Sequence, residues 1–176
     1  MKKYTLFVLM AIAAFTFCSC GSQKSPIKTF KMPCSDCVNS NDALRVWATG
    51  TSDNESTARK KAMATASAEL AAVLSKTVNT ITEQYTTELA DGRESESKSL
   101  LNEKNLITVK QIVNGATIVC DEWTQSKKQY TNYIVLELKG SKVIEAITKE
   151  AESAGKTVNK ELLNELFLKN IQGLNK

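Results

Sequence analysis

The chain has 176 residues, with 23 Lys plus Arg against 19 Asp plus Glu, no histidine and a formal charge of +4. Without an imidazole it cannot build a Ser-His-Asp or Cys-His nucleophile, a histidine-based zinc hydrolase centre, or the usual acid/base group for neutral pH. The length suits one domain with a real core, and the charge is too small a field to argue for nucleic acid.

Lys2 and Lys3 precede an apolar stretch from Tyr4 to Phe17, fourteen residues long. A membrane-spanning helix needs ~20. The basic start and the small residue Ser19 at the exit instead make residues 1–19 a secretory signal. The ending Phe17-Cys18-Ser19-Cys20-Gly21 resembles the lipobox of bacterial lipoproteins. That resemblance implies that Cys20 is acylated and becomes the first mature residue. Phe17 is too bulky to precede a cut at Cys18, so Cys20 is the preferred site. The match departs from the usual pattern at Phe17 and Cys18, where a Leu and a small residue are customary. Gly21 stands where Asp would signal inner-membrane retention, so the resemblance places the protein at the outer membrane, lipid-anchored and facing the periplasm.

Removing residues 1–19 leaves 157 residues and, with Lys2 and Lys3 gone, a formal charge of +2. Residues 20–42 are rich in Gly, Ser, Pro and Asn and read as a lipidated, flexible tether. Cys34, Cys37 and Cys120 remain as thiols in what would be an oxidising compartment. Cys34-Ser35-Asp36-Cys37 has redox CxxC spacing, but Pro33 before it and turn-forming residues after it do not suit a thiol activated at a helix start. The preferred reading is a disulfide that staples the tether to the domain through Cys120 and leaves one thiol over. No metal site is expected, because closed zinc sites want four ligands and only three thiols are in hand. No cofactor is expected either; no glycine-rich phosphate loop appears.

Leu44 to Thr49 alternates as a strand does, and Gly50-Thr51 ends it. Ser52 and Glu55 fit a capping box. From there to about Ala90 neither Gly nor Pro occurs. Ala58, Ala62, Ala66, Leu70, Leu74, Val78, Ile81, Tyr85 and Leu89 recur at helical spacing, with alanines lining the first half. Asp91-Gly92 marks a turn. Glu94 to Val113 suits either a helix or the start of a strand; a second helix antiparallel to the first is chosen. Ala116 to Trp123 and Tyr130 to Leu138 form a hairpin about Gln125-Ser126-Lys127-Lys128. Gly140-Ser141 opens a helix with Val143, Ile144, Ile147 and Ala151 on one face. Gly155 ends it, and Asn159 caps a last helix carrying Leu162, Leu163, Leu166, Phe167 and Ile171.

The order β-α-α-β-β-α-α predicts an α+β fold: a small three-stranded antiparallel sheet packed on long helices. Residues 43–140 form the core domain and 141–176 a C-terminal helical extension. A helix from Glu55 to Ala90 would be about 54 Å long and would overhang strands of about 23 Å. Its distal residues Val78, Ile81, Tyr85 and Leu89 then want a partner: the second helix, a second copy of the chain or an envelope component.

Arg45-Val46-Trp47-Ala48-Thr49-Gly50, Ala58, Lys61-Ala62, Ala66 and Leu70-Ala71 are followed farther on by Gly115-Ala116, Trp123 and Tyr130 to Leu138. Together they resemble the LPP-twenty lipoprotein family of small outer-membrane-associated lipoproteins. The resemblance covers roughly residues 44–140. It implies a strand–long helix–strand–strand core and an envelope location, and it carries no catalytic residue.

Asp121 and Glu122 are the obvious carboxylate pair, but neighbours on a strand point to opposite faces and cannot share one site. The better binding candidate comes from strand parity. With Leu44, Val46 and Ala48 turned to the helices, Trp47 faces away. The same count gives Val119, Asp121 and Trp123, then Tyr133 and Val135, on the outer side, and Ile118 and Cys120 on the inner. Trp47, Trp123 and Tyr133 would then form an aromatic face for a glycan, an envelope protein or a second subunit. The plainer alternative is that the last helix covers that face with Leu162, Leu166 and Phe167. The function expected is a non-enzymatic envelope binding or structural module attached to the membrane through its N-terminal lipid. The second reading is a thiol–disulfide oxidoreductase using Cys34 and Cys37.

Overall fold

A computed structural model describes residues 31–88, 109–153, 155 and 157–174. The segment 1–19, Cys20, Leu89, Ala90 and residues 94–108 of the expected second helix lie outside the described residues. The elements are β1 (Ala43–Ser52), α1 (Glu55–Glu88), β2 (Thr117–Ser126), β3 (Gln129–Lys139), α2 (Gly140–Ser153) and α3 (Lys160–Leu174). A 3-10 turn at Ser35–Cys37 precedes β1, and residues 109–113 are helical. This is an α+β fold with a three-stranded antiparallel sheet in the order β1-β3-β2. Among the described residues no helix is long and apolar enough to cross a membrane.

The inner sheet face follows from the alternation in β1. Leu44, Val46 and Ala48 are buried against Ala62, Ala66 and Leu70 of α1, together with Ile134, Leu136 and Leu138 of β3. Alanines at helical spacing let the helix axis lie close to the sheet. Gly50 completes this approach, since a Cβ there would overlap the Ala58 carbonyl oxygen and the Ala62 amide nitrogen and come within 2.9 Å of Lys61 Cβ.

The helix start differs from the capping box read in the sequence. Strand pairing continues through Ser52, which lies opposite Tyr130, so Ser52 belongs to the ladder. Asn54 is the cap instead: its Oδ1 accepts from the Thr57 amide at 3.0 Å and from the Thr57 hydroxyl at 3.2 Å.

The distal half of α1 finds its partner within the chain. Val78, Ile81 and Tyr85 join one core with Leu163, Leu166, Phe167 and Ile171 of α3. The Tyr85 hydroxyl accepts from the Asn159 amide at 2.8 Å, and Asn170 Nδ2 donates to Gln84 Oε1 at 2.9 Å. Asn159 caps α3 through Oδ1, which accepts from the Leu162 amide at 3.1 Å. The apolar faces of α2, through Val143, Ile144 and Ile147, and of α3 thus belong to the same core as the sheet. The α3 helix also lies on the helical side of the sheet, so it does not cover the outer face. Of the expected second helix, Ile112 is buried in the same core.

The sharpest departure is in β2. Ile118 pairs with Leu136, yet Cys120 pairs with Val135, so the register shifts at Val119. One extra residue reverses the side-chain alternation beyond it. Cys120 and Glu122 therefore share the outer face with Val135 and Tyr133, whereas Asp121 and Trp123 turn to the helical side. Asp121 there accepts from Arg59 Nε of α1 at 2.9 Å and from Asn132 Nδ2 at 2.6 Å.

Candidate functional site

Every other residue of β1 is only half buried: Arg45, Trp47 and Thr49 point away from the helices. Opposite them on β3 stand Glu137, Val135 and Tyr133, and opposite those on β2 stand Thr117, Cys120 and Glu122. Val135 lies on this outer face and is nevertheless fully buried. Its cross-strand neighbours are Trp47 and Cys120, each of which is bonded to the segment preceding β1.

Residues 32–42, expected as part of a free tether, form one compact unit with the rest of the domain. Three kinds of bond hold them. A disulfide joins Cys34 to Cys120 across 86 residues of sequence, with Cα atoms 5.8 Å apart. The Trp47 indole Nε1 donates to the Pro33 carbonyl at 3.1 Å. Arg45 Nη1 donates to the carbonyls of Cys37 and Asn39 at 3.0 and 2.8 Å, while its Nε and Nη2 both donate to Glu137 Oε2 at 2.8 and 2.6 Å. Ser40 Oγ accepts from the Ala43 amide at 3.2 Å, which turns the chain into the strand. The segment is thus a strap laid across the outer face.

Trp47 and Tyr133 meet on this face, ring centroids 6.1 Å apart and tilted by 39°. Trp123, named with them from the sequence, does not join them, because the bulge sends it to the other side of the sheet at the β2 edge. It is partly exposed there, as are Ile118 and Val119. The candidate aromatic face therefore reduces to Trp47 and Tyr133 beneath the strap.

Among the described residues the cysteines divide as a Cys34–Cys120 disulfide and a free, half-buried Cys37. The expectation that Cys120 faces the helices is corrected by the same bulge. Only on the outer face can Cys120 meet a residue of the strap. Cys34 is therefore not paired with Cys37, although a Cys37 N–H to Cys34 carbonyl bond of 3.0 Å keeps the two residues in one turn.

Two participants were not singled out from the sequence. Arg45 and Glu137 carry opposite charges at outward positions of strands that both read as amphipathic, and that was the available signal. Glu122 reads in the sequence as half of a carboxylate pair that strand parity splits. Its outward placement depends on the bulge, which nothing in the local residue types announces. Comparison of the chain with protein-family models, with curated proteins and with solved structures found no match.

Proposed function

We propose that this chain is a lipid-anchored envelope lipoprotein of the outer membrane, held at Cys20, whose folded domain acts by binding or scaffolding. It is not read as an enzyme. The observation that carries the reading is the succession of a basic start, a short apolar run and Cys20, followed by a domain that begins almost at once. A disulfide between Cys34 and Cys120 supports an oxidising compartment, where such bonds persist. The lack of histidine supports a non-catalytic role, since the commonest acid/base and nucleophile-activating group is missing from the chain. The likeness to the LPP-twenty lipoproteins stated above adds to the reading through location and strand order, and it brings no activity with it.

The partner surface proposed is the outer sheet face with its strap, taken up by an envelope protein, a glycan or a second copy. The test is fractionation. The wild-type chain is expected in the membrane fraction and labelled by a radioactive or clickable fatty acid. Cys20→Ala is expected unlabelled and displaced from the outer membrane, because one or more acyl chains supply the attachment. Equal membrane retention and labelling of the two proteins would remove the reading.

A further inference from the structure

The sheet is covered unevenly. Helix α1 lies over β1 and β3, where Val46, Ala48, Ile134 and Leu136 share one core with Ala62, Ala66 and Leu70. Strand β2 has no such cover. All of its residues are exposed except the half-buried Cys120, and Ile118, Val119 and Trp123 are among the exposed ones. Among the described residues only β3 pairs with β2, so the backbone groups along its other edge face no strand. β1, at the opposite edge of the sheet, differs in having every second residue from Leu44 to Gly50 buried. An edge as open as that of β2 is a template for one more strand.

We propose that a second copy of the chain supplies that strand: β2 pairs with β2 about a two-fold axis at Trp123, and two three-stranded sheets join into one.

The register follows from the residue types. The bulge at Val119 interrupts the ladder and leaves Cys120 to Ser126 as the regular stretch. Antiparallel copies related by a two-fold axis across the sheet pair residues that share a face. Centred on Trp123, the contact uses the whole stretch. Cys120 meets Ser126, Asp121 meets Gln125, Glu122 meets Thr124, and Trp123 meets its own copy. No like charges stand opposite each other. The disulfide-bearing Cys120 faces a small side chain, and the two exposed indoles cover one another on the helical side of the sheet. Other centres fare worse. Asp121 or Glu122 on the axis would set two carboxylates directly opposite, which is destabilising. Thr124 on the axis would place Cys120 and Asp121 against Lys127 and Lys128, in the second copy's turn and outside its strand. Cys120 on the axis would run the ladder through the bulge. The contact at Trp123 occupies only the sheet edge and leaves the outer face and its strap to the partner proposed above.

The test is sedimentation equilibrium of the full-length chain in density-matched detergent. The wild type is expected as a dimer in reversible equilibrium with monomer. Thr124→Glu sets a carboxylate opposite Glu122 at two symmetric places and is expected to raise the dimer dissociation constant about tenfold. Adding Glu122→Lys makes both pairs opposite in charge and is expected to bring the constant back to within about threefold of wild type. Both positions are exposed, and thermal unfolding checks that each variant folds. Chance sharing of a micelle is blind to residues 122 and 124. A chain that stays monomeric at every concentration overturns the proposal and leaves the edge to a strand of another protein. A dimer that neither variant moves also overturns it, by assigning the contact to another surface. A dimer weakened by Thr124→Glu and not recovered by the double variant overturns the pairing about Trp123.

Discussion

Arg45 and Glu137 stand opposite each other on β1 and β3, and the guanidinium closes on one carboxylate oxygen from both Nε and Nη2, at 2.8 and 2.6 Å. The third nitrogen reaches the other way, to two carbonyls of the strap. One side chain thus ties the central strand to the segment that covers it. Lysine, a point charge on a flexible stem, cannot make that divided grip.

Arg45→Met is therefore expected to cost about 2–4 kcal/mol, because it leaves a mostly buried carboxylate without its counter-charge and two carbonyls without a donor. Urea unfolding should show a lower midpoint with an unchanged slope. Arg45→Lys should recover less than half of the loss. A cost below ~0.5 kcal/mol for Arg45→Met would mean that the pair behaves as a solvated surface bridge.

Gly50→Ala and Gly173→Ala should act in opposite directions. At Gly50 the added carbon meets helix backbone, which cannot swing aside, and a loss of about 2–3 kcal/mol is expected from overpacking. At Gly173, in α3, nothing lies within 4 Å of the added carbon, and a gain of about 0.5–1 kcal/mol is expected from helix propensity. Thermal unfolding of the two variants under one condition tests the contrast. A neutral Gly50→Ala would show that α1 can lift from β1 without penalty.

The disulfide predicts both a peptide map and a stability change. Digestion without reductant should yield a linked Cys34–Cys120 pair and a Cys37 that alkylates. Cys120→Ala should lower stability by up to ~4–5 kcal/mol on the chain-entropy account, since the closed loop is long. A Cys34–Cys37 link as the only bridge would contradict the arrangement of the strap.

Packing of α3 on α1 is tested by Ile81→Asp and Tyr85→Phe. The first puts a charge into a fully buried position and should abolish cooperative unfolding of the whole domain. The second removes only the hydroxyl that accepts from Asn159 and should cost about 1 kcal/mol. Gel filtration of Ile81→Asp that showed a folded chain merely changed in oligomeric state would point to a subunit contact at Ile81.

Much of the fold was legible in the sequence because its signals are local. Ala58, Ala62 and Ala66 mark the close face of α1, and Leu44, Val46 and Ala48 mark the inner side of β1. The rest depended on events at a distance or on the backbone itself. Ser52 looked like a cap until strand pairing with Tyr130 claimed it, and Asn54, two residues on, took the role. Val119 is an ordinary strand residue whose extra position reverses Cys120, Glu122 and Trp123 without a glycine to announce it. That one residue split the expected aromatic face and turned Cys120 toward Cys34 of the strap. The partner of Val78, Ile81 and Tyr85 lay some eighty residues along the chain, where helical periodicity shows an apolar face but not what it meets.

The Cys34–Cys120 bond also sets the route by which a mechanical load would enter the domain. A pull on the chain N-terminal to Cys34 reaches the sheet at two points, through the peptide chain into β1 and through sulfur into β2. These are the two outer strands, with β3 between them. Tension is therefore shared by both ladders of β3 instead of peeling β1 away alone. With the bond cut, all of it falls on β1, first on the bonds from Trp47 and Arg45 to the strap and then on the Ala43 end, whose pair is with Lys139 at the end of the ladder. A single-molecule pull from that side should then give a lower rupture force, with β1 leaving pair by pair.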